Sequence, residues 1–255
     1  MSTPAEDRFF IGWLGALPPA LRLFIPLVMV ALIAAFAVLG WTLSRAQDDP
    51  GTAAFRFDYR AQEVTGVLMS DPYPTVWVTN GTDRVPDNEM LLLAGQGKRG
   101  PNLGEAQDGD LVTVRGIVLE RGTLNMLQVG RGGLGEGDAT QLPALENLGR
   151  WQLTGEICDG KCLAGAMRPG TGLAHKACAN LCLTGDVPPI FVSSAPLFPD
   201  IRDSEYLLVG GPDGGPMAGS LIAEVGKLVT IEGQVHRRGD LLIFNADPNT
   251  VETAR

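Results

Sequence analysis

The sequence predicts a mainly β protein that is held at a membrane by one N-terminal transmembrane helix. Three observations support this fold class. Residues 23–44 contain no charged side chain. Gly (33) and Pro (18) are abundant while aromatic residues make up only 6% of the chain, a composition typical of short strands joined by many turns. The chain that follows the apolar run also contains one strand pattern twice.

The predicted anchor is the apolar run at residues 23–44, which lies between Arg22 and Arg45. As a helix it is roughly 33 Å long, which is enough to cross a hydrocarbon core of about 30 Å. The alternative is a cleaved signal peptide, but the run is long and no small-x-small cleavage site follows it. We therefore expect an uncleaved anchor.

The orientation of the anchor has a weak charge signal, because basic residues flank it on both sides. Arg8 and Arg22 precede it, while Arg45, Arg56 and Arg60 follow it, and the positive-inside rule counts these residues. We expect a single-pass protein of a bacterial-type inner membrane. Its cytoplasmic tail would be residues 1–22, and the bulk of the chain would be periplasmic.

The formal net charge of the chain is −9, and its Lys and Arg residues form no cluster. Binding to phosphate backbones requires clustered basic side chains. The charge pattern therefore argues against nucleic acid as a partner.

An internal repeat organises the soluble part. Residues 111–124 (LVTVRGIVLERGTL) match 228–241 (LVTIEGQVHRRGDL). Upstream, Thr65-Gly66 matches Thr154-Gly155, and 91–95 matches 206–210. A period of about 100 residues indicates duplicated domains, because solenoid repeats are shorter.

Each unit of the repeat is predicted to form strands joined by tight turns. A Gly inside a strand (Gly116, Gly233) indicates a bulge or sharp bend, and Arg-Gly turns follow at Gly122 and Gly239. This pattern resembles an OB-type barrel, which protects its sheet edges by closing. The predicted organisation is a linker (45–60), OB-like domain 1 (61–130), a Gly-rich linker (131–149) and OB-like domain 2 (150–255).

The two units differ at one place, which we interpret as an insertion in domain 2 at residues 158–184. All four cysteines of the chain lie there, in two C-x3-C pairs separated by fifteen residues, together with one of its two histidines. On a helix His175, Cys178 and Cys182 would share one face. The candidate site is therefore Cys158, Cys162, His175, Cys178 and Cys182.

Three states of these cysteines are compatible with the spacing. Two disulfides are one, most naturally Cys158–Cys182 and Cys162–Cys178, although four cysteines allow three connectivities. The twin C-x3-C pattern resembles, over these residues only, the cysteine hairpins of intermembrane-space chaperones, and that resemblance implies disulfides. A metal site for zinc, copper or an Fe–S cluster is the second state. A redox-active dithiol is the third, although the usual C-x-x-C spacing is missing.

The remaining sequence contains none of the common catalytic motifs, such as G-x-S-x-G, H-E-x-x-H or a P-loop. His236 lies in a predicted strand and is interpreted as structural. We therefore expect a non-enzymatic accessory or assembly subunit that acts beside a membrane complex, such as an electron-transport enzyme. A metal-binding or electron-transfer protein is the alternative, and a thiol-disulfide oxidoreductase is the third hypothesis.

Overall fold

A computed structural model describes residues 17–46, 53–137 and 141–254. Most of the predicted tail (1–16) and parts of both predicted linkers (47–52 and 138–140) lie outside the described residues. The chain divides into two compact units, Met1–Asp49 and Pro50–Arg255.

Helix α1 (Phe24–Ala46) makes up most of the described part of the first unit and has no buried residue. It follows a short 3₁₀ turn, Pro19–Leu21. Leu, Ile, Val, Ala and Phe dominate its sequence, and Arg45 lies in its last turn. By length and composition the helix can cross a membrane, as the sequence predicted.

The second unit is built from two sheets, each of which closes on itself. The elements of this unit lie in the following order: β1 (Ala54–Phe55), β2 (Gln62–Met69), β3 (Thr75–Asn80), β4 (Met90–Ala94), β5 (Leu111–Arg121), β6 (Leu124–Leu134), β7 (Leu145–Asp159), α2 (Lys176–Thr184), β8 (Pro189–Ser193), β9 (Tyr206–Gly210), β10 (Leu228–Arg238), β11 (Leu241–Ala246) and β12 (Glu252–Thr253). Short 3₁₀ turns lie at Phe57–Tyr59, Gly219–Glu224 and Pro248–Thr250, and one π-helical turn at Cys162–Ala166.

The first sheet has the order β1-β5-β2-β3-β4-β6, and an additional β5–β6 pairing closes it into a five-stranded barrel. The second sheet has the order β11-β9-β8-β7-β10-β12 and is closed by β10–β11. In each sheet one pair is parallel, β4 with β6 and β9 with β11. The predicted mainly β architecture with a closed barrel is confirmed.

Matching contacts occur at the positions that the repeat aligns. Thr65 bonds to Thr113 between β2 and β5 at 2.8 Å, and Thr154 bonds to Thr230 between β7 and β10 at the same distance. A Cβ at Gly155 would lie 2.2 Å from the Val192 carbonyl oxygen of the neighbouring strand. Only Gly permits so close an approach of two backbones.

Two large clusters of buried side chains fill the barrels. One fills the first barrel with Leu91, Leu93 and Val114. The other fills the second barrel and continues to the outer face of the first, where Met90 and Leu92 contribute. Strand β4 is therefore buried on both faces, which explains its uninterrupted apolar sequence.

The strands extend into the segment predicted to be a Gly-rich linker. β6 continues to Leu134 and pairs with β5, and β7 begins at Leu145 and pairs with Arg238. A glycine-rich sequence can still form an edge ladder, because the pairing uses only backbone groups.

Candidate functional site: a buried cysteine cluster

The cysteine segment connects β7 to β8. In the first barrel the matching connection, between β2 and β3, is only residues 70–74, whereas here it is residues 160–188. It begins with the π-helical turn Cys162–Ala166, and helix α2 (Lys176–Thr184) follows. The Asp159 Oδ1 atom fixes the start of the turn by accepting a hydrogen bond from the Cys162 N–H, at 2.8 Å.

Three thiols converge inside this segment. The Sγ atoms of Cys162, Cys178 and Cys182 all lie within 4.8 Å of one another. Cys178 and Cys182 are one helical turn apart on α2, so they share the face that the sequence predicted. The side chains of Cys162 and Cys182 are buried, while Cys178 is partly exposed. The cluster therefore lies just beneath the protein surface.

Cys158 does not join the cluster. Its thiol is fully buried in the core of the second barrel and donates a hydrogen bond to the Ile190 carbonyl oxygen at 3.6 Å. Burial raises the pKa of this thiol well above its ordinary value. All four cysteines are free, so neither disulfide of the predicted nested pairing is formed.

His175 and Asp159 form a second group that shares Cys162 with the first. The His175 Nε2 atom lies 2.9 Å from Asp159 Oδ2, and both residues are buried. Ligand atoms of Asp159, Cys162 and His175 lie within 4.8 Å of one another. The sequence had indicated His175 but not Asp159. The available signal was local, because an Asp side chain often accepts a hydrogen bond from a backbone N–H a few residues later, as Asp159 does from Cys162.

Two lysines lie beside the thiols, and neither was predicted from the sequence. Lys98, in the loop after β4, directs its Nζ atom at the sulfur of Cys178 (2.6 Å) and at that of Cys182 (3.7 Å). The buried Lys161 donates to the carbonyl oxygens of Gly95 and Gly97, both at 2.7 Å. The first barrel thus supplies one cation, Lys98, and binds the other, Lys161.

The thiols differ in acidity because of these contacts. The pKa of Cys182 is lowered, first because Cys162 donates a hydrogen bond to its sulfur and also because Lys98 is close. The pKa of Cys162 is raised by its role as that donor and by burial. Burial lowers the pKa of Lys161. Without a metal, Cys182 is therefore the more acidic of these two thiols, and Cys162 keeps its proton to higher pH.

The separation of the sulfurs is suited to a single bound ion. A tetrahedral zinc site with Zn–S bonds of about 2.3 Å places its sulfurs about 3.8 Å apart, so thiols within 4.8 Å of one another need only small movements. In a cubane cluster each thiolate binds its own iron, which requires a wider separation. The geometry therefore favours a mononuclear centre over an Fe–S cluster.

No protein-family model, curated protein or solved structure matches this chain. We therefore infer a function from the side chains of the cluster and from their surroundings.

Proposed function

We propose that the protein is a membrane-anchored metal-binding protein that holds one thiophilic ion with Cys162, Cys178 and Cys182. The observation that carries the proposal is the convergence of three mutually adjacent sulfurs in the connection between β7 and β8. Thiolates are soft ligands that select Zn²⁺ or Cu⁺ over hard cations. The ion has a fourth protein ligand within reach if Asp159 or His175 turns from its partner toward Cys162.

The charges around the cluster support a bound cation. Three thiolates and Zn²⁺ have a net charge of −1, and Lys98 at 2.6 Å from a sulfur would neutralise it. With Cu⁺ the net charge would be −2, and Lys98 and Lys161 together could balance it. Buried charges are tolerated when they are paired in this way, so the lysines suit an ion–thiolate centre.

The test is the metal content of protein that is produced in its native compartment and purified in mild detergent. Because binding replaces the thiol protons, we expect close to one zinc or copper ion per chain by elemental analysis. Cys178→Ser should lose most of this metal, since it removes one of the three sulfurs from a partly exposed position without disturbing the barrel cores.

Cys158→Ala is the control, because Cys158 lies at the end of β7, beside the same segment, and its buried thiol faces the barrel core. We expect this variant to lose stability and yet keep its metal. Equal metal loss in both variants, or wild-type protein with no metal and two disulfides, would contradict the proposed site.

The location and the partners of the protein belong to the same proposal. Helix α1 supports a single-pass anchor, and we propose that the barrels lie on the periplasmic side. The strand orders and the parallel β4–β6 and β9–β11 pairs support the OB-like assignment of both barrels, a fold often used for binding.

In this setting the protein would act as an accessory subunit that carries or delivers a metal beside a membrane complex. Gentle detergent extraction followed by size-exclusion chromatography and mass spectrometry tests this role. A lone monomer with no copurifying membrane protein would contradict it, while the metal content would still decide the site itself.

A further inference from the structure

A second polar site lies in a cleft of about 170 Å³ between the two barrels. None of the clustered cysteines lines it. The first barrel contributes Asp71 and Pro72 of the β2–β3 turn, and the second barrel contributes His236, Arg238 and Asn245. The cleft is therefore formed only when the two barrels are packed together.

Strand geometry explains why these side chains face the cleft. His236 and Arg238 are two residues apart on β10, so they project from the same face, opposite to the buried Val235. His236 is the register partner of Ile243 on β11, and Asn245 follows Ile243 by two residues. Because side chains alternate between the two faces of a strand, one outer face of the second barrel carries His236, Arg238, Ile243 and Asn245.

Unsatisfied polar atoms are concentrated in this cleft. Within the part of the chain that the structure describes, five buried side-chain nitrogen or oxygen atoms have no hydrogen-bond partner. Three of them are His236 Nδ1, Arg238 Nε and Asn245 Oδ1, all from residues that line the cleft. Buried polar atoms in native proteins are normally paired with protein, water or ligand, so their clustering indicates a binding site.

We propose that this cleft binds a small monocarboxylate with a short aliphatic chain. The Arg238 Nε–H and an N–H of the neutral His236 ring would donate to the carboxylate oxygens. The amide of Asn245 can present either its oxygen or its NH₂ to the ligand by rotating. Met69 and Ile243, which also line the cleft, would enclose the aliphatic chain.

Size and charge narrow the choice of ligand. At roughly 30 Å³ for each water-sized atom group, the volume accommodates about six non-hydrogen atoms, which is the size of butyrate. Arg238 has no ion pair among the described residues, so its charge is available to an anion. Asp71 is exposed at the same cleft, and its negative charge disfavours a second anionic group on the ligand.

The experiment is saturation-transfer difference NMR with butyrate on the full-length protein in detergent micelles. Butyramide, succinate and inorganic phosphate serve as comparison ligands. We expect butyrate to bind with a Kd on the order of 1 mM or tighter and each comparison ligand to bind about tenfold more weakly. Arg238→Gln should weaken butyrate binding by about tenfold or more, because it removes both the charge and the Nε donor.

Arg237→Gln is the matched control, since Arg237 is the preceding residue and pairs with Glu146 at the surface. It should bind butyrate as the wild type does. Asp71→Asn, at an exposed position, should tighten butyrate binding, and it decides the question if Arg238→Gln does not fold. The proposal is overturned if butyrate shows no saturation transfer at about 20 mM, well above the expected Kd. It is also overturned by equal or tighter binding of butyramide or phosphate, or by unchanged binding in Arg238→Gln or in Asp71→Asn.

Discussion

Replacement of Lys98 by Met tests whether the first barrel contributes to the metal centre of the second. The Lys98 Nζ atom lies 2.6 Å from the sulfur of Cys178, and a hydrogen bond to a charged group contributes about 1.5–3 kcal/mol. Lys98 is partly exposed, so solvent screening favours the lower end of that range. Since about 1.4 kcal/mol corresponds to a factor of ten, we expect about tenfold weaker zinc binding in Lys98→Met.

The assay is competition for zinc with a chromophoric chelator on detergent-purified protein. Lys98→Arg should keep most of the affinity, because it preserves the positive charge and the donor. Arg99→Met is the control, since it removes the exposed neighbouring cation of the same loop and should change the affinity less than twofold. Equal affinities in Lys98→Met and Arg99→Met would refute the role of Lys98.

Three further predictions concern the free energy of unfolding, measured with urea. Gly155→Ala should destabilise the fold strongly, because its Cβ would lie 2.2 Å from the Val192 carbonyl oxygen. Gly133→Ala is the control and should have little effect, because a Cβ at Gly133 meets no atom within 4 Å. Phe191→Ala should cost about 3–5 kcal/mol, because this fully buried ring packs against a second phenylalanine in the core; a loss below about 1 kcal/mol would contradict that packing.

The third of these predictions is a pH dependence. Burial raises the pKa of Glu89, so the unfolded chain releases this proton at a lower pH than the folded chain. The contribution of Glu89 to stability is then greatest at acidic pH and is lost as the pH rises from its ordinary pKa of 4.5 through its folded-state pKa. The free energy of unfolding of Glu89→Gln, taken relative to that of the wild type, should therefore be higher at pH 8 than at pH 5. The same gain in Glu63→Gln, at an exposed position, would contradict this explanation.

The repeat was readable from the sequence because its constraints are local to each strand. The Gly and Thr positions that align in the two units mark places where neighbouring backbones or hydroxyls must meet, and the structure brings those atoms together. Strand ends were less predictable. Strand β6 continues through Gly132 and Gly133 because these residues pair with β5. Two glycines in a sequence do not indicate a strand, so this pairing could not be predicted.

Residue patterns along the chain were enough to predict the apolar helix, the mainly β class and the helical face that aligns Cys178 with Cys182. They could not predict that Cys162 joins these thiols while Cys158 turns into the core, because that depends on where β7 ends and the chain leaves the sheet. Lys98 reaches the cluster from 80 positions earlier in the chain. This contact arises from the packing of the two barrels against each other, so it cannot be predicted from residue spacing within one element.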